Sequence, residues 1–568
     1  MEEDIHNEKR TYNYNFLPEV PSDIRVVVGI DFGTTFSGFT CASINSREVI
    51  TNQSWPGVNG QFKTNTVLQY DENYEGVVDW GARALVSEIR RRESKIENLP
   101  RPIELFKLHL ANVTEDQKPK LPFGLTPERV ITDYFRKMGE LIKETVEKHW
   151  PGTNFFRMVR LVVTIPADFI EETKAFMRHC IYKANLISNS GTQNLQFTTE
   201  PEAAAVHCIK ILNDHELKVG STYLIVDCGG GTIDLTARKL LPNNQLSENT
   251  ERSGGFCGST YVDRNFVEYL KSKVGEHAIS MLRDKHYRQF HSMIQQFCER
   301  AKIPFTDNIS EFRTFEFDIE KYCPALKLYI KDPVKDELEQ DEWTIDIEYE
   351  TIKSFFDPVV NQIIILMSDQ LSKISQCSII YMVGGFSESR YLQAKIREKF
   401  SSYKIATPPH PVAAIVRGAG EYGLDMDTIK TRVLKWTYGV QIYPLFKEGV
   451  DPPSRKTSDG HIYKFNMLAK RGVEVSVNQE FTEKFIPFKQ KQNNANIKLF
   501  YSPKHSVEYC DEDEVKLLYE FDIDLPDTHL GQDRLVSVNL CFGKMEMIAT
   551  VKNEANGNIY RYTSKLEF

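Results

Sequence analysis

Two short stretches whose aspartates lie 196 residues apart (227 minus 31) share one plan. VVVGIDFGTTFSGFT, residues 26 to 40, runs apolar residues into Asp31, turns through Gly33, Thr34 and Thr35, and resumes an apolar pattern at Phe36. YLIVDCGGGTID, residues 223 to 234, runs from Tyr223 to Val226 into Asp227, then through Gly229, Gly230, Gly231 and Thr232. Each reads as two β-strands around a tight turn, because Val, Ile, Phe and Thr favour extended backbone. Gly33 and Gly38 have the spacing of a nucleotide P-loop, but Phe39 stands at its lysine position and the turn leads into a strand, not a helix. Glycines let backbone N–H groups approach an anion closely, and Thr hydroxyls add donors. Two such turns facing each other would grip one polyphosphate.

The aspartate ending each first strand needs a counter-charge. Two negative charges about 4 Å apart at an effective dielectric near 20 repel by about 4 kcal/mol. Asp31 and Asp227 beside phosphate therefore predict a hard divalent cation between them, most simply Mg²⁺ keeping several of its waters. The ligand this describes is a metal-bound nucleotide polyphosphate.

The 568 residues, 41% of them hydrophobic, suffice for two to four packed domains. A net charge of -9 and the lack of a long basic run speak against a nucleic-acid partner. The 10 cysteines are scattered with no C-x-x-C pair, which predicts reduced core residues and not a zinc ribbon or a disulfide framework. The polar, acidic start MEEDIHNEKRTYNYNFLPEVPSD is unlike a signal peptide, and no 18-residue uncharged apolar run suggests a membrane span. A cytoplasmic protein with a loose tail over residues 1–24 is expected.

Along the chain, TPERVITDYFRKMGELIKETVEKHW has an N-cap Thr126, Pro127 at the first helical position and helical apolar spacing. RLVVTIP at 160–166 reads as a buried strand, and TTEPEAAAVHCIKIL as the start of another helix. IIYMVGGFSES at 379–389 is strand, Gly-Gly turn and helix start, so the order of elements is α/β, twice over. From Tyr438 the period becomes two: Val473, Val475 and Val477 alternate with polar residues, as do Tyr519, Phe521 and Ile523. The expected organisation is 25–220 and 221–424 as two halves of an α/β unit, a charged connector at 425–437, and an antiparallel β-sandwich over 438–568.

Together GIDFGTTFSG, VDCGGGTID, TIPADF, TEPEAAAV, CERAK at 298–302 and MVGGFSES resemble the heat shock protein 70 (DnaK-type) family, within the actin, hexokinase and chaperone ATPase superfamily. The likeness spans nearly the whole chain, and the wording VGGFSES and TYGV is most similar to the divergent heat shock 70 kDa protein 12A-like branch. The resemblance implies a duplicated actin-like ATPase fold of two lobes around a nucleotide cleft, 25–220 and 221–424, followed by a substrate-binding β-domain. It implies ATP or ADP with Mg²⁺ as cofactors. Unfolded or extended polypeptide clients, a J-domain cochaperone and a nucleotide exchange factor are the implied partners.

By that resemblance Gly33, Thr34, Thr35, Gly229, Gly230, Gly231 and Thr232 contact the phosphates, and Asp31 and Asp227 hold the waters around Mg²⁺. Glu200 and Asp234 orient the attacking water, and Lys107 in ELFKLHL steadies charge on the terminal phosphate. Glu299 and Lys302, three apart on one helix face, meet the ribose, and Gly384 and Gly385 form the adenosine loop. The family's adenine-stacking Arg aligns with Glu388 here, leaving Arg390 two positions later as the candidate. The connector LDMDTIKTRVLKW is less apolar than the family's usual linker, which implies weaker docking of the β-domain. The sequence ends at YRYTSKLEF in strand-like residues, where the family continues into a helical lid. The reading is an ATP-regulated, chaperone-like peptide binder with weak ATPase activity. A nucleotide-sensing scaffold and a small-molecule kinase of the same superfamily are the alternatives.

Overall fold

The computed structural model describes residues 23–85, 100–111, 113–167, 169–212, 217–477, 479–542 and 545–562. Most of the N-terminal tail and the last six residues, on which the expected lack of a lid partly rests, lie outside them. The two predicted hairpins are present as β1 (Val26–Phe32) with β2 (Phe36–Ser43), and β3 (Thr222–Cys228) with β4 (Ile233–Leu241). Every residue of β1 is buried, Asp31 included, as the run from Val26 to Ile30 requires of a strand covered on both faces.

Each hairpin nucleates a sheet with the same strand order. In the first sheet β1 pairs antiparallel with β2 and parallel with Val159–Ile165, which pairs parallel with Leu195–Thr199. In the second, β3 pairs antiparallel with β4 and parallel with Ile379–Val383, which pairs parallel with Ile405–Ala406. The two hairpins therefore occupy equivalent positions, and Asp31 and Asp227 end equivalent strands.

Two helices join the sheets: α1 (Glu200–Leu212) and α2 (Ala414–Leu424). Their small residues, Ala203, Ala204, Ala414 and Ala419, share one apolar cluster with Val27 of β1 and Tyr223 of β3. The approach is close enough that a Cβ on Gly418 would lie 1.7 Å from the Ala203 carbonyl oxygen. The helix foreseen from Thr126 runs Pro127–His149, with the Thr126 hydroxyl accepting from the Arg129 N–H at 3.2 Å. All ten cysteines are unbridged. Among the described residues no helix is long and apolar enough to cross a membrane.

After the connector the chain forms two four-stranded antiparallel sheets. One orders Lys464–Ala469, Thr437–Ile442, Asn494–Ser502 and Lys516–Asp524; the other orders Glu480–Phe485, Val536–Cys541, Ile548–Asn553 and Ile559–Tyr562. Alternate residues of both, such as Leu499, Phe521, Val538 and Val551, enter one shared apolar core.

The connector contains a short strand, β5 (Thr431–Val433), paired with Glu474–Ser476. Of its charged residues Arg432 is buried, while Asp425 and Asp427 are exposed. The Arg432 guanidinium grips Glu202 of α1 through Nε to Oε1 at 2.9 Å and Nη2 to Oε2 at 3.3 Å, and Arg252 donates to the same Oε1 at 3.1 Å. Glu248 accepts from Arg252 Nε at 2.6 Å and from the Val433 backbone N–H at 2.7 Å. Arg178 of helix Glu171–Lys183 pairs with Glu546 at 2.7 Å, and Arg471 pairs with Glu251 at 2.7 Å. Ionic contacts thus tie the C-terminal sheets to the preceding ones, where the connector's low apolar content had implied weaker docking.

Gly418→Ala should lower the stability of the first two sheets together by about 1–3 kcal/mol, since the added methyl must force α1 and α2 apart. Urea unfolding followed by circular dichroism measures this, and an unchanged midpoint would contradict the close crossing.

Candidate functional site

The two turns meet. A Cβ on Gly230 would fall 2.3 Å from the Thr35 hydroxyl oxygen and force it to shift, while one on Gly231 would meet the Thr34 Cβ at an ordinary contact of 3.8 Å, so the second turn touches the first and glycine is needed at position 230. The carbonyls of Gly231, Gly229 and Gly230 accept from the backbone N–H groups of Gly258, Ser259 and Thr260 at 3.2, 3.1 and 2.9 Å. Oxygens that would repel an anion are thereby tied to the segment entering helix Thr260–Val274.

The turns open onto a cavity of about 940 Å³, large enough for a nucleotide. Asp31, Gly33, Thr34, Thr35, Lys107, Glu200, Asp227, Gly229, Gly230, Gly231, Thr232 and Asp234 all line it, as do Glu299, Lys302, Gly384 and Gly385. Arg390 does not. It is exposed at the first position of helix Arg390–Lys399, while Glu388 and Ser389 face the cavity. The expectation that Arg390 reaches a nucleotide base is therefore not met in this arrangement.

The CERAK segment is a π-turn, Cys298–Lys302, and not regular α-helix. In that wider turn residues three apart lose their usual alignment. Lys302 Nζ donates to the Ser259 carbonyl and to Asp263 Oδ1, both at 2.7 Å, so its carboxylate partner is Asp263 and not Glu299.

The floor of the cavity is acidic. Glu200, Asp227 and Asp234 are buried, and one ligand oxygen of each lies within 4.8 Å of the others, an arrangement that could hold a metal ion. Asp227 and Asp234 are directly opposed in the register of β3 and β4. Like charges facing across a strand pair repel. Asp227 Oδ1 has no hydrogen-bond partner among the described residues. Burial first, then the charges of Glu200 and Asp234, push the Asp227 carboxyl well above its ordinary range. A buried, unpartnered oxygen in a like-charged cluster is what a hard cation would satisfy, so these residues fit Mg²⁺.

Asp31 is differently placed. Its Oδ1 accepts from the Thr164 hydroxyl at 3.2 Å, and its Oδ2 lies 2.6 Å from the ammonium of Lys63. Asp31 thus lies outside the three-carboxylate cluster, on the same cavity; with Asp227 it was expected to hold the waters around Mg²⁺, a role that direct ligand distances do not address. Lys107 sits on the other side, its Nζ donating to Glu200 Oε1 at 2.7 Å within a buried 3₁₀ turn, Phe106–Leu110. Burial raises the Glu200 carboxyl and Lys107 counteracts it. Sequence reading missed Lys63 and Arg252; nothing in QFKTNTV marks the lysine, whose role arises only from its approach to β1 and β2.

No protein-family model matches the chain. It is 25% identical to the human protein "Heat shock 70 kDa protein 12A" over 92% of its own length and 89% of that protein's. It is 23% identical to the human "Heat shock 70 kDa protein 12B" over 89% and 85%. "Chaperone protein DnaK" of Deinococcus proteolyticus matches at 24% over 80% and 69%.

A carboxyl whose pKa is raised by folding binds its proton in the folded state first, so stability is lost as pH climbs from the unfolded value of about 4. In metal-free buffer the melting temperature should therefore fall as pH rises through Asp227's elevated titration. Asp227→Asn should flatten that fall, melt higher than the wild type at neutral pH, and lose the rise in melting temperature that Mg²⁺ gives the wild type. Differential scanning fluorimetry with EDTA or Mg²⁺ reads all three, and an Asn variant that still responds to Mg²⁺ would contradict the assignment.

Proposed function

We propose that this chain, a divergent relative of heat shock protein 70 of the 12A-like branch, binds Mg-ATP between two actin-like lobes. Nucleotide state then controls how its C-terminal β-domain holds extended polypeptides. The observation that carries the reading is the pairing of Gly33–Thr35 with Gly229–Thr232 over one cavity floored by Glu200, Asp227 and Asp234. The repeated strand order of the first two sheets supports the two-lobe description, and the core shared by the last two supports a β-sandwich.

In this reading Thr34, Thr35 and the glycine turn bind the polyphosphate, and Asp227 and Asp234, with Glu200 beside them, hold the ion. When bound, Mg²⁺ supplies positive charge against the phosphate oxygens. Glu200 orients a water and accepts its proton as the new P–O bond forms, and the bridging bond breaks with ADP as the leaving group. Lys107, held by Glu200, faces the charge that develops on the transferred group, which is the electrostatic work phosphoryl transfer demands.

Client binding draws support from an aromatic patch at one end of the C-terminal sheets. Tyr443 lies 4.9 Å from the His461 ring, 4.5 Å from Tyr463 and 5.6 Å from Phe488, measured between centroids. Tyr463 is 51% and Phe488 45% exposed, and the 69% exposed Leu445 is bridged to His461, so part of the cluster meets solvent. A patch of this kind suits an extended apolar peptide.

The decisive experiment is ATP hydrolysis by the purified protein with and without an unfolded client and a J-domain cochaperone. Stimulation by both is expected; ATP binding with no turnover under any condition would favour a nucleotide-sensing scaffold. Lys107→Met should cut turnover by about 10²–10³-fold while ATP still binds, the scale of losing one preorganised donor to the transition state. Single-turnover kinetics check this. Tyr443→Ala with Phe488→Ala should weaken a fluorescent apolar peptide by at least about tenfold and leave ATP affinity unchanged, and fluorescence anisotropy showing equal affinity would move the client site elsewhere.

A further inference from the structure

The two hairpins match in topology but differ at one position, and the difference assigns a role to a residue so far unexplained. Across from Asp227 the register places Asp234; across from Asp31 it places Gly38. The space that a side chain at 38 would fill is taken by Lys63: a Cβ on Gly38 would lie 3.1 Å from Lys63 Cγ and 2.9 Å from the Phe62 carbonyl oxygen. Where the second hairpin carries a second carboxylate, the first carries a lysine.

Lys63 is fixed to the first phosphate turn. It immediately precedes the short strand Thr64–Asn65, which pairs with Phe36 and Ser37 of β2. Three residues on from Lys63, the Thr66 N–H donates to the Thr35 carbonyl and its hydroxyl to the Gly33 carbonyl, both at 2.8 Å. The Lys63 side chain is 11% exposed and lines the cavity, and Asp31 is its only ion-pair partner among the described residues. An ammonium has three N–H donors, so this contact leaves capacity for an anion in the cavity.

We propose that Lys63 is a built-in cation of the nucleotide site: it neutralises Asp31, leaving the divalent ion to the Asp227 side, and it donates to the polyphosphate from the Thr34–Thr35 side. Phosphate is therefore held from one side by a fixed ammonium and from the other by an exchangeable ion. Part of the nucleotide affinity survives metal removal, and that part depends on Lys63. This rests on the nucleotide-site reading above.

The test is isothermal titration of the full chain with ADP, in Mg²⁺ and in EDTA. For the wild type, binding in EDTA should be weaker but measurable. Lys63→Met should reduce affinity in EDTA by at least about tenfold and by a smaller factor in Mg²⁺, and Lys63→Arg should restore most of the EDTA binding. Because Lys63→Met strands the buried Asp31 charge, the double variant Lys63→Met/Asp31→Asn removes both charges, and it too should lose the EDTA binding while keeping its response to Mg²⁺. EDTA affinity in the double variant equal to the wild type would overturn the role of Lys63 alone. Mg²⁺ dependence lost on Asp31→Asn but kept on Asp227→Asn would overturn the assigned side of the ion. No ADP binding by the folded wild type in either buffer would instead overturn the nucleotide-site reading itself.

Discussion

Four buried carboxylates around one cavity are the constraint to which the rest of the site answers. At effective protein dielectrics each close pair repels by several kcal/mol, so the fold can keep them there only with compensating charge. Lys63 meets Asp31 and Lys107 meets Glu200, each through a contact under 3 Å. Asp227 faces Asp234 across the strand pair and keeps an oxygen without a hydrogen-bond partner among the described residues. That oxygen lies beside the glycine turn, where a hard cation would satisfy it.

The repeated architecture makes that asymmetry meaningful. Equivalent strands, equivalent turns and equivalent parallel neighbours mean that both sheets offer backbone donors in the same way. Side chains then specialise the copies. The first turn offers two hydroxyls and an ammonium; the second offers three glycines and two carboxylates. The first is suited to direct contact with phosphate oxygens, and the second to contact through a cation.

Much of this was legible in the sequence because it was local. A Val-rich run into Asp, Gly and Thr specifies a buried strand and a tight turn from a dozen residues, and both hairpins form as read. Thr126-Pro127 capped its helix, and the period-two segments after Tyr438 became antiparallel sheets. What was illegible depended on distant partners. Lys63 looks like any surface lysine until Gly38 is seen to make room for it. The i,i+3 spacing of Glu299 and Lys302 suggested a shared helix face; both line the cavity, but from a π-turn, and Lys302 bonds Asp263, a partner the spacing did not show. Arg390 was chosen by nearness to the Gly-Gly turn, whereas the helix that begins there turns it outward into solvent.

The connector illustrates the same limit and has a consequence for how the halves of the molecule communicate. Read as composition, TRVLKW is merely less apolar than a docking linker should be. In place, Arg432 is buried against Glu202, whose carboxyl is held well below its ordinary range by Arg432, Arg252 and Arg238 despite the penalty of burial. A carboxyl depressed in this way contributes stability above its unfolded value of about 4.3 and loses it as pH falls. Salt screens a pair at this depth little, while Arg471–Glu251, about a quarter exposed on each side, is screened more. Glu202 lies in the same helical turn as Glu200, and Arg252 both lines the cavity and bonds Glu202. Arg252 thus joins the cavity lining to the anchor of β5, so the ionic connector gives a direct physical connection between the site and the C-terminal sheets where its composition lacks an apolar linker.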